Sequence, residues 1–167
     1  LLLTIPNSFI PETVGILRSS NKDSITKSGE ANPVQLHVTD DIKVKILKTL
    51  SGFLGNRALF DQFVISDGFS MLSDLMKDTN SIIAELSLMT TAQHLQKEII
   101  TIDLIKSLLV FNSYNDSKIR NNALTTLFLV LDFQFDLLCT MPTFIYHLLC
   151  FTLKPLPLQS FEQLLSV

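Results

Sequence analysis

Tryptophan is absent from this 167-residue chain, and cysteine occurs only twice, at Cys139 and Cys150. Two cysteines cannot build the disulfide framework of a small secreted domain, and their scarcity suits a reducing compartment. Glycine is almost as rare, with five residues, and none belongs to a loop whose amides would cradle a phosphate. The three histidines, His37, His94 and His147, are too far apart in sequence to form a metal-ligand pattern. Neither sign of charge dominates: 13 basic residues face 16 acidic ones, giving a formal charge of −3 and a pI near 5.5. That balance predicts no broad electrostatic footprint for nucleic acid or an anionic membrane. Long apolar runs are missing too. Ala123–Leu153 is broken by Asp132, Asp136 and Pro142, whereas a membrane-spanning helix needs about 20 mostly apolar residues. Leu1–Leu3 is too short for the core of a signal peptide and lacks a basic leader. The first residue is leucine, so a processed chain or a piece of a longer protein is expected.

What the chain does have is apolar residues at helical spacing. They make up 47% of the composition, enough to bury a substantial core. No alternating run bounded by turn signals suggests a strand, so the expected class is all-α. Leu1–Ser20 reads as a short helical pair broken at Pro6 and Pro11, and Asn21–Thr39 reads as an exposed, mobile insertion loop. Asp40 and Asp41 are candidate N-caps for a helix over Ile42–Leu54 with Ile46, Leu50 and Phe53 on one stripe. Gly52 and Gly55 are placed to close that helix in the left-handed conformation. A short helix Arg57–Ile65, a sharp turn at Asp67-Gly68 and a helix Phe69–Lys77 follow, the last with Met71, Leu72, Leu75 and Met76 inward. After a polar break at Asp78–Asn80, Ser81–Gln96 repeats the long-helix stripe with Leu88, Ala92 and Leu95.

The order then returns. Leu104, Ile105, Leu108 and Leu109 match the inward set of Phe69–Lys77, Asn112–Asp116 matches its polar break, and the long helix Ser117–Leu131 carries Ala123, Leu127 and Val130. A further copy has a short helix Phe133–Cys139, then Phe144, Ile145, Leu148 and Leu149, and Gln159–Val167 starts another helix. Matching positions recur at 33 residues, Met71 to Leu104, and then at 40, Leu104 to Phe144. A period in this range marks a solenoid, in which each unit buries its apolar face only against its neighbours. The expectation is one helical-repeat domain over 1–167 with about four copies.

These segments resemble armadillo repeats, and HEAT repeats more loosely. Asn56–Phe63 leading into Asp67-Gly68-Phe69 looks like an armadillo first helix and its glycine turn, and Arg120–Leu127 looks like the start of a third helix with Ala123 at the close-packing position. The resemblance implies a right-handed α-solenoid whose third helices line a concave groove for extended peptides or partner domains. Carried onto this chain, the groove candidates are Lys45, Lys48, Met89, Gln93, Asn121 and Thr125. Lys48, Met89 and Thr125 stand where nuclear-import adaptors carry tryptophan, and Gly52, Gln93 and Leu129 where they carry asparagine. That departure argues against an adaptor that clamps basic peptides. The stretch Thr49–Asn56 together with Phe144–Leu149 is similar to scaffold regions of chromatin-remodelling subunits, while co-chaperones and exchange-factor-like armadillo proteins fit nearly as well.

Catalytic chemistry has little to stand on. His147 and Cys150 are spaced i, i+3 and could meet on a helix face, but a nucleophile–base pair also needs an orienting group and an oxyanion site. Asp132 and Asp136 form an acidic spot that reads more simply as a solvated face. Lys43, Lys45 and Lys48 read the same way, and Asn115-Asp116-Ser117 reads as a polar turn rather than a glycosylation site. The aromatic-rich helices over 117–131 and 143–153 are apolar around more than half their circumference, which implies further repeats or another subunit against that end. The expectation is a non-enzymatic scaffold for protein–protein interaction inside the cell, in nucleus or cytoplasm. No cofactor, small molecule, membrane or direct nucleic-acid partner is expected. A peptide- or cargo-binding adaptor or a co-chaperone using the concave groove is the alternative.

Overall fold

The computed structural model describes residues 6, 8–22, 38–141, 144 and 146. The regular structure among them is helical throughout: α1 Phe9–Lys22, α2 Asp40–Phe53, α3 Arg57–Ile65, α4 Gly68–Leu75, α5 Ser81–Gln93, α6 Ile102–Val110 and α7 Ser117–Cys139, with single 3₁₀ turns at Lys97–Ile99 and Phe111–Ser113. No strand occurs among the described residues. The chain divides into two compact units, Leu1–His94 and Leu95–Val167.

In the first unit α4 is the hub, packed on α1, α3 and α5, while α3 also meets α1 and α2 lies along α5. Met71, Leu72, Leu75 and Met76 are all buried, as their spacing predicts, together with Ile10, Val14 and Leu17 of α1, Leu47 and Leu50 of α2, and Ile83 and Leu88 of α5. Each such side chain contributes about 1.5–3 kcal/mol of transfer free energy, which fixes α4 at the centre. The sharp turn before α4 forms as expected, but the left-handed residue is Asp67 (φ 57°, ψ 37°) and not a glycine. Arg18 of α1 donates from Nη2 to both the Asp67 carbonyl (3.0 Å) and its Oδ2 (2.8 Å), holding the turn against α1. Gly68 has a different task, because a Cβ there would collide with the buried Phe63 ring. Phe63 in turn meets Phe69 edge to face at 5.2 Å.

Several expectations need correction. Pro11 does not break a helix: it sits in the first turn of α1, where a missing N–H leaves no intrahelical bond unmade. The same helix runs on through Asn21 and Lys22, and Val38 is buried, so the expected loop is shorter at both ends; residues 23–37 lie outside the described set. Asp40 and Asp41 are first-turn residues, not caps, since Thr39 holds the N-cap position without a side-chain bond. Their charges still oppose the positive end of the helix dipole. Gly52 and Gly55 do not close α2, for no described glycine has a positive φ and Leu54 ends the helix in the right-handed region. The buried face of α2 is Lys43, Leu47 and Leu50, continued by Leu54, leaving Ile46 and Phe53 only half-buried on a second face. Helix α5 stops at Gln93, short of Gln96, and its stripe is Ile83, Ser87, Leu88, Thr90 and Thr91, while Ala92 and Leu95 are half-buried.

In the second unit α6 packs along α7, and the Phe111–Ser113 turn touches both. Leu104, Ile105, Leu108 and Leu109 are buried, as are Ala123, Leu127 and Val130. Helix α7 continues beyond Leu131 to Cys139, with one non-helical residue, Gln134 (φ −143°, ψ 49°), so the separate short helix expected from Phe133 follows a kink and not a loop. Of the second helix of that further copy, only Phe144, buried, and Tyr146, exposed, are described. Ile145, Leu148, Leu149, the His147–Cys150 pair and Gln159–Val167 lie outside the described residues.

Candidate interaction surface

The hairpin α4–α5 and the hairpin α6–α7 are built alike. Asn80 caps α5 by accepting from the Ile82 amide at 3.0 Å, and Asp116 caps α7 by accepting from Lys118 and Ile119 at 2.8 and 3.4 Å. With the caps aligned 36 residues apart, Ile83 matches Ile119, Ser87 matches Ala123, Leu88 matches Leu124 and Thr90 matches Thr126, and all eight are buried. Thr90 and Thr126 even make the same kind of hydrogen bond, each hydroxyl donating at 2.8 Å to the carbonyl four residues back, of Leu86 and Asn122 respectively. The stripe alignment read from sequence, Leu88 with Ala123, is therefore out by one residue, whereas Met89 with Thr125 is in register.

The long helices α2 and α5 lie side by side and point the same way. At their N-terminal ends Asn80 Nδ2 donates to Asp40 Oδ2 at 2.9 Å, and at their C-terminal ends Ser51 Oγ donates to Gln93 Oε1 at 3.0 Å. A buried ion pair reinforces the first contact: Lys43 Nζ is 3.5 Å from Asp78 Oδ2 and 3.6 Å from Asp40 Oδ1, while Asp78 Oδ1 accepts from the Asn80 amide. Lys48 lies one turn before Ser51 and Met89 one turn before Gln93, and these four positions share a single ridge-and-ridge surface. Lys45, Lys48 and Gln93 are exposed, and Met89 is 40% exposed. Asn121, half-buried, and Thr125, exposed, stand one turn apart on α7 in the second unit. Four of the six groove candidates are thus brought onto two adjoining helices of the first unit.

The sequence did not reveal a cleft between α1 and α2. It has a volume of about 320 Å³ and is lined by Phe9, Thr13 and Ile16 from α1 and by Lys45, Ile46, Thr49 and Leu50 from α2. Phe9 closes one end by meeting Phe53 edge to face at 5.6 Å. Both threonine hydroxyls are turned inward on their own helices, Thr13 donating to the Phe9 carbonyl (2.7 Å) and Thr49 to the Lys45 carbonyl (2.9 Å). The stripe Ile46, Leu50, Phe53, placed on one helix face from the sequence, was the available signal: it borders this cleft.

Among the described residues no group of three or more histidine, cysteine, aspartate or glutamate side chains could hold a metal ion, and no helix is long and apolar enough to cross a membrane. No protein-family model, curated protein or solved structure matches this chain.

Proposed function

We propose that this chain is a segment of a right-handed, armadillo-like helical solenoid that serves as a non-enzymatic scaffold, holding partner subunits in an intracellular complex. The observation that carries this reading is the parallel pairing of α2 with α5, clasped at both ends through Asp40–Asn80 and Ser51–Gln93. Successive long helices of a solenoid stack in this manner and present their outer residues as one continuous surface. The recurrence of the α4–α5 hairpin in α6–α7, down to cap type and buried threonine, supports the same reading. The working surface is then the outward side of the long helices, with Lys48, Met89 and Gln93 on one pair and Asn121 and Thr125 on the next copy. Such a surface recognises partners by shape and scattered polar contacts, since it has no enclosed chemical cleft. The likeness of Thr49–Asn56 together with Phe144–Leu149 to scaffold regions of chromatin-remodelling subunits makes such assemblies the first to examine.

The test is affinity purification of the protein carrying this chain from its own cells, followed by lysine cross-linking. Stoichiometric partners linked to Lys48 and Lys118, on α2 and at the start of α7, are the expected result. Recovery of the protein as a free monomer would remove the scaffold reading.

A further inference from the structure

Helix α4 is held on three sides, by α1, α3 and α5, whereas α2 packs along α5 and faces the cleft of about 320 Å³ on the side of α1. The stretch 38–54 buries Val38, Leu47, Leu50 and Leu54. Its ring contact across the cleft is Phe9 with Phe53, a residue that is itself half-buried. Side chains that line an unfilled space have no partner atoms on that side and forgo those dispersion contacts. The two ends of α2 are seated on α5 by polar groups. Lys43–Asp78 and Asp40–Asn80 hold one end, and Ser51–Gln93 holds the other. A buried ion pair adds little net stability, because both charges recover their hydration when it opens. Departure of α2 also leaves its neighbours complete. Asn56 caps α3 by itself, accepting from the Ala58 and Leu59 amides, and Asp78 Oδ1 holds the Asn80 amide without help from α2.

We propose that residues 38–54 form a strap that lifts from α5 as a unit while α1, α3, α4 and α5 stay folded, and that this opening switches the α2–α5 surface on and off. Lys48 belongs to the strap, whereas Met89 and Gln93 belong to α5, so the surface they share exists only while the strap is seated. The lifting itself is independent of the scaffold reading, and its regulatory consequence rests on that reading. A partner that binds across both helices binds the seated form alone. Binding and seating then favour each other by the same factor. Elements that move in regulation come from the least stable part of a fold, and the strap is the part of this unit held by one helix and a polar clasp at each end.

The experiment is hydrogen–deuterium exchange read by mass spectrometry on the full 167-residue chain, over a series of sub-denaturing urea concentrations. Peptides within 39–54 should exchange at least tenfold faster than those within 68–75. Their urea dependence should be weaker, because lifting one helix exposes less surface than unfolding the unit. Phe63→Leu, in the packing of α3 on α4, should speed exchange in α4 and leave α2 unchanged, since the seated and lifted forms lose the same contact. Asp78→Asn, which keeps an acceptor for the Asn80 amide, should speed exchange in α2 at least tenfold, since only the seated form loses the ion pair. The strap is overturned if α2 and α4 of the unaltered chain exchange at one rate with one urea dependence. It is equally overturned if Phe63→Leu speeds both helices alike, or if Asp78→Asn leaves α2 unchanged. For the switch, the probe is the assembly recovered by affinity purification. Exchange in α2 at least fivefold slower there than in the free chain supports the switch, and unchanged exchange overturns it. If α2 exchange is unchanged while Met89→Glu still costs a partner, the switch fails and the scaffold reading stands. If no assembly is recovered, the scaffold reading and the switch fall together, and the urea series alone decides the strap.

Discussion

At the scale of single residues, the most exacting position is Gly68. Its backbone is ordinary, but its missing side chain leaves the space that the buried Phe63 ring occupies. Gly68→Ala must push that ring into a packed cluster, and overpacking of this kind costs about 1–3 kcal/mol. Thermal denaturation should show the loss, whereas Gly52→Ala, where an added Cβ meets nothing within 4 Å, should stabilise slightly or leave stability unchanged. The Lys43–Asp78 pair offers a second test, since both side chains are about nine-tenths buried, at 10% and 8% exposure. Asp78→Ala strips Lys43 of its more buried partner and frees the Asn80 amide; removing one side of a buried pair costs about 3–5 kcal/mol. Combining it with Lys43→Met should recover a large part of that loss in urea unfolding, because no charge is then left buried. A strictly additive double variant would show that the two groups do not interact.

At the scale of elements, the caps decide where the long helices begin. Asn80→Ala and Asp116→Ala should each destabilise by about 1 kcal/mol, and Asn80→Ala should be the costlier because Asn80 also bonds Asp40 of α2. Chemical denaturation of the two variants, measured side by side, checks the order. These polar breaks and the α4 and α6 inward sets were legible in the sequence, because Met71, Leu72, Leu75 and Met76 follow helical spacing, and the one buried serine on each helix, Ser73 and Ser107, leaves that apolar pattern intact. Helix α5 was not legible in the same way. Its buried face contains Ser87, Thr90 and Thr91, whose hydroxyls donate to carbonyls four residues back and so become compatible with burial. A hydrophobic count treats them as outward residues and moves the stripe toward Ala92 and Leu95. Helix α2 was misread for the opposite reason: it has apolar residues on two faces, and the buried Lys43 disguised the one that enters the core. The cleft beside α1 follows from that second face and from a partner, α1, that lies in a different part of the sequence.

At the scale of the whole molecule, the class was legible and the use was not. Helical spacing and a recurring order of segments require only local information, while a binding surface depends on which helices adjoin. The parallel contact of α2 with α5 joins Lys48 to Met89 across 41 residues of sequence, and no single-segment pattern contains it. One negative expectation belongs at this scale: lysine-rich peptides of the import-signal type should show no micromolar binding in titration calorimetry, because in the proposed armadillo register Lys48 would take the place of the aromatic side chain. The central claim is that the outer residues of the long helices hold a partner protein. Its most direct test is retention of native partners by the protein carrying Met89→Glu and Thr125→Arg, two exposed positions whose change should leave the helical circular dichroism intact. The account predicts that the folded double variant loses at least one stoichiometric partner in quantitative affinity purification. Full retention of every partner by that variant would contradict it.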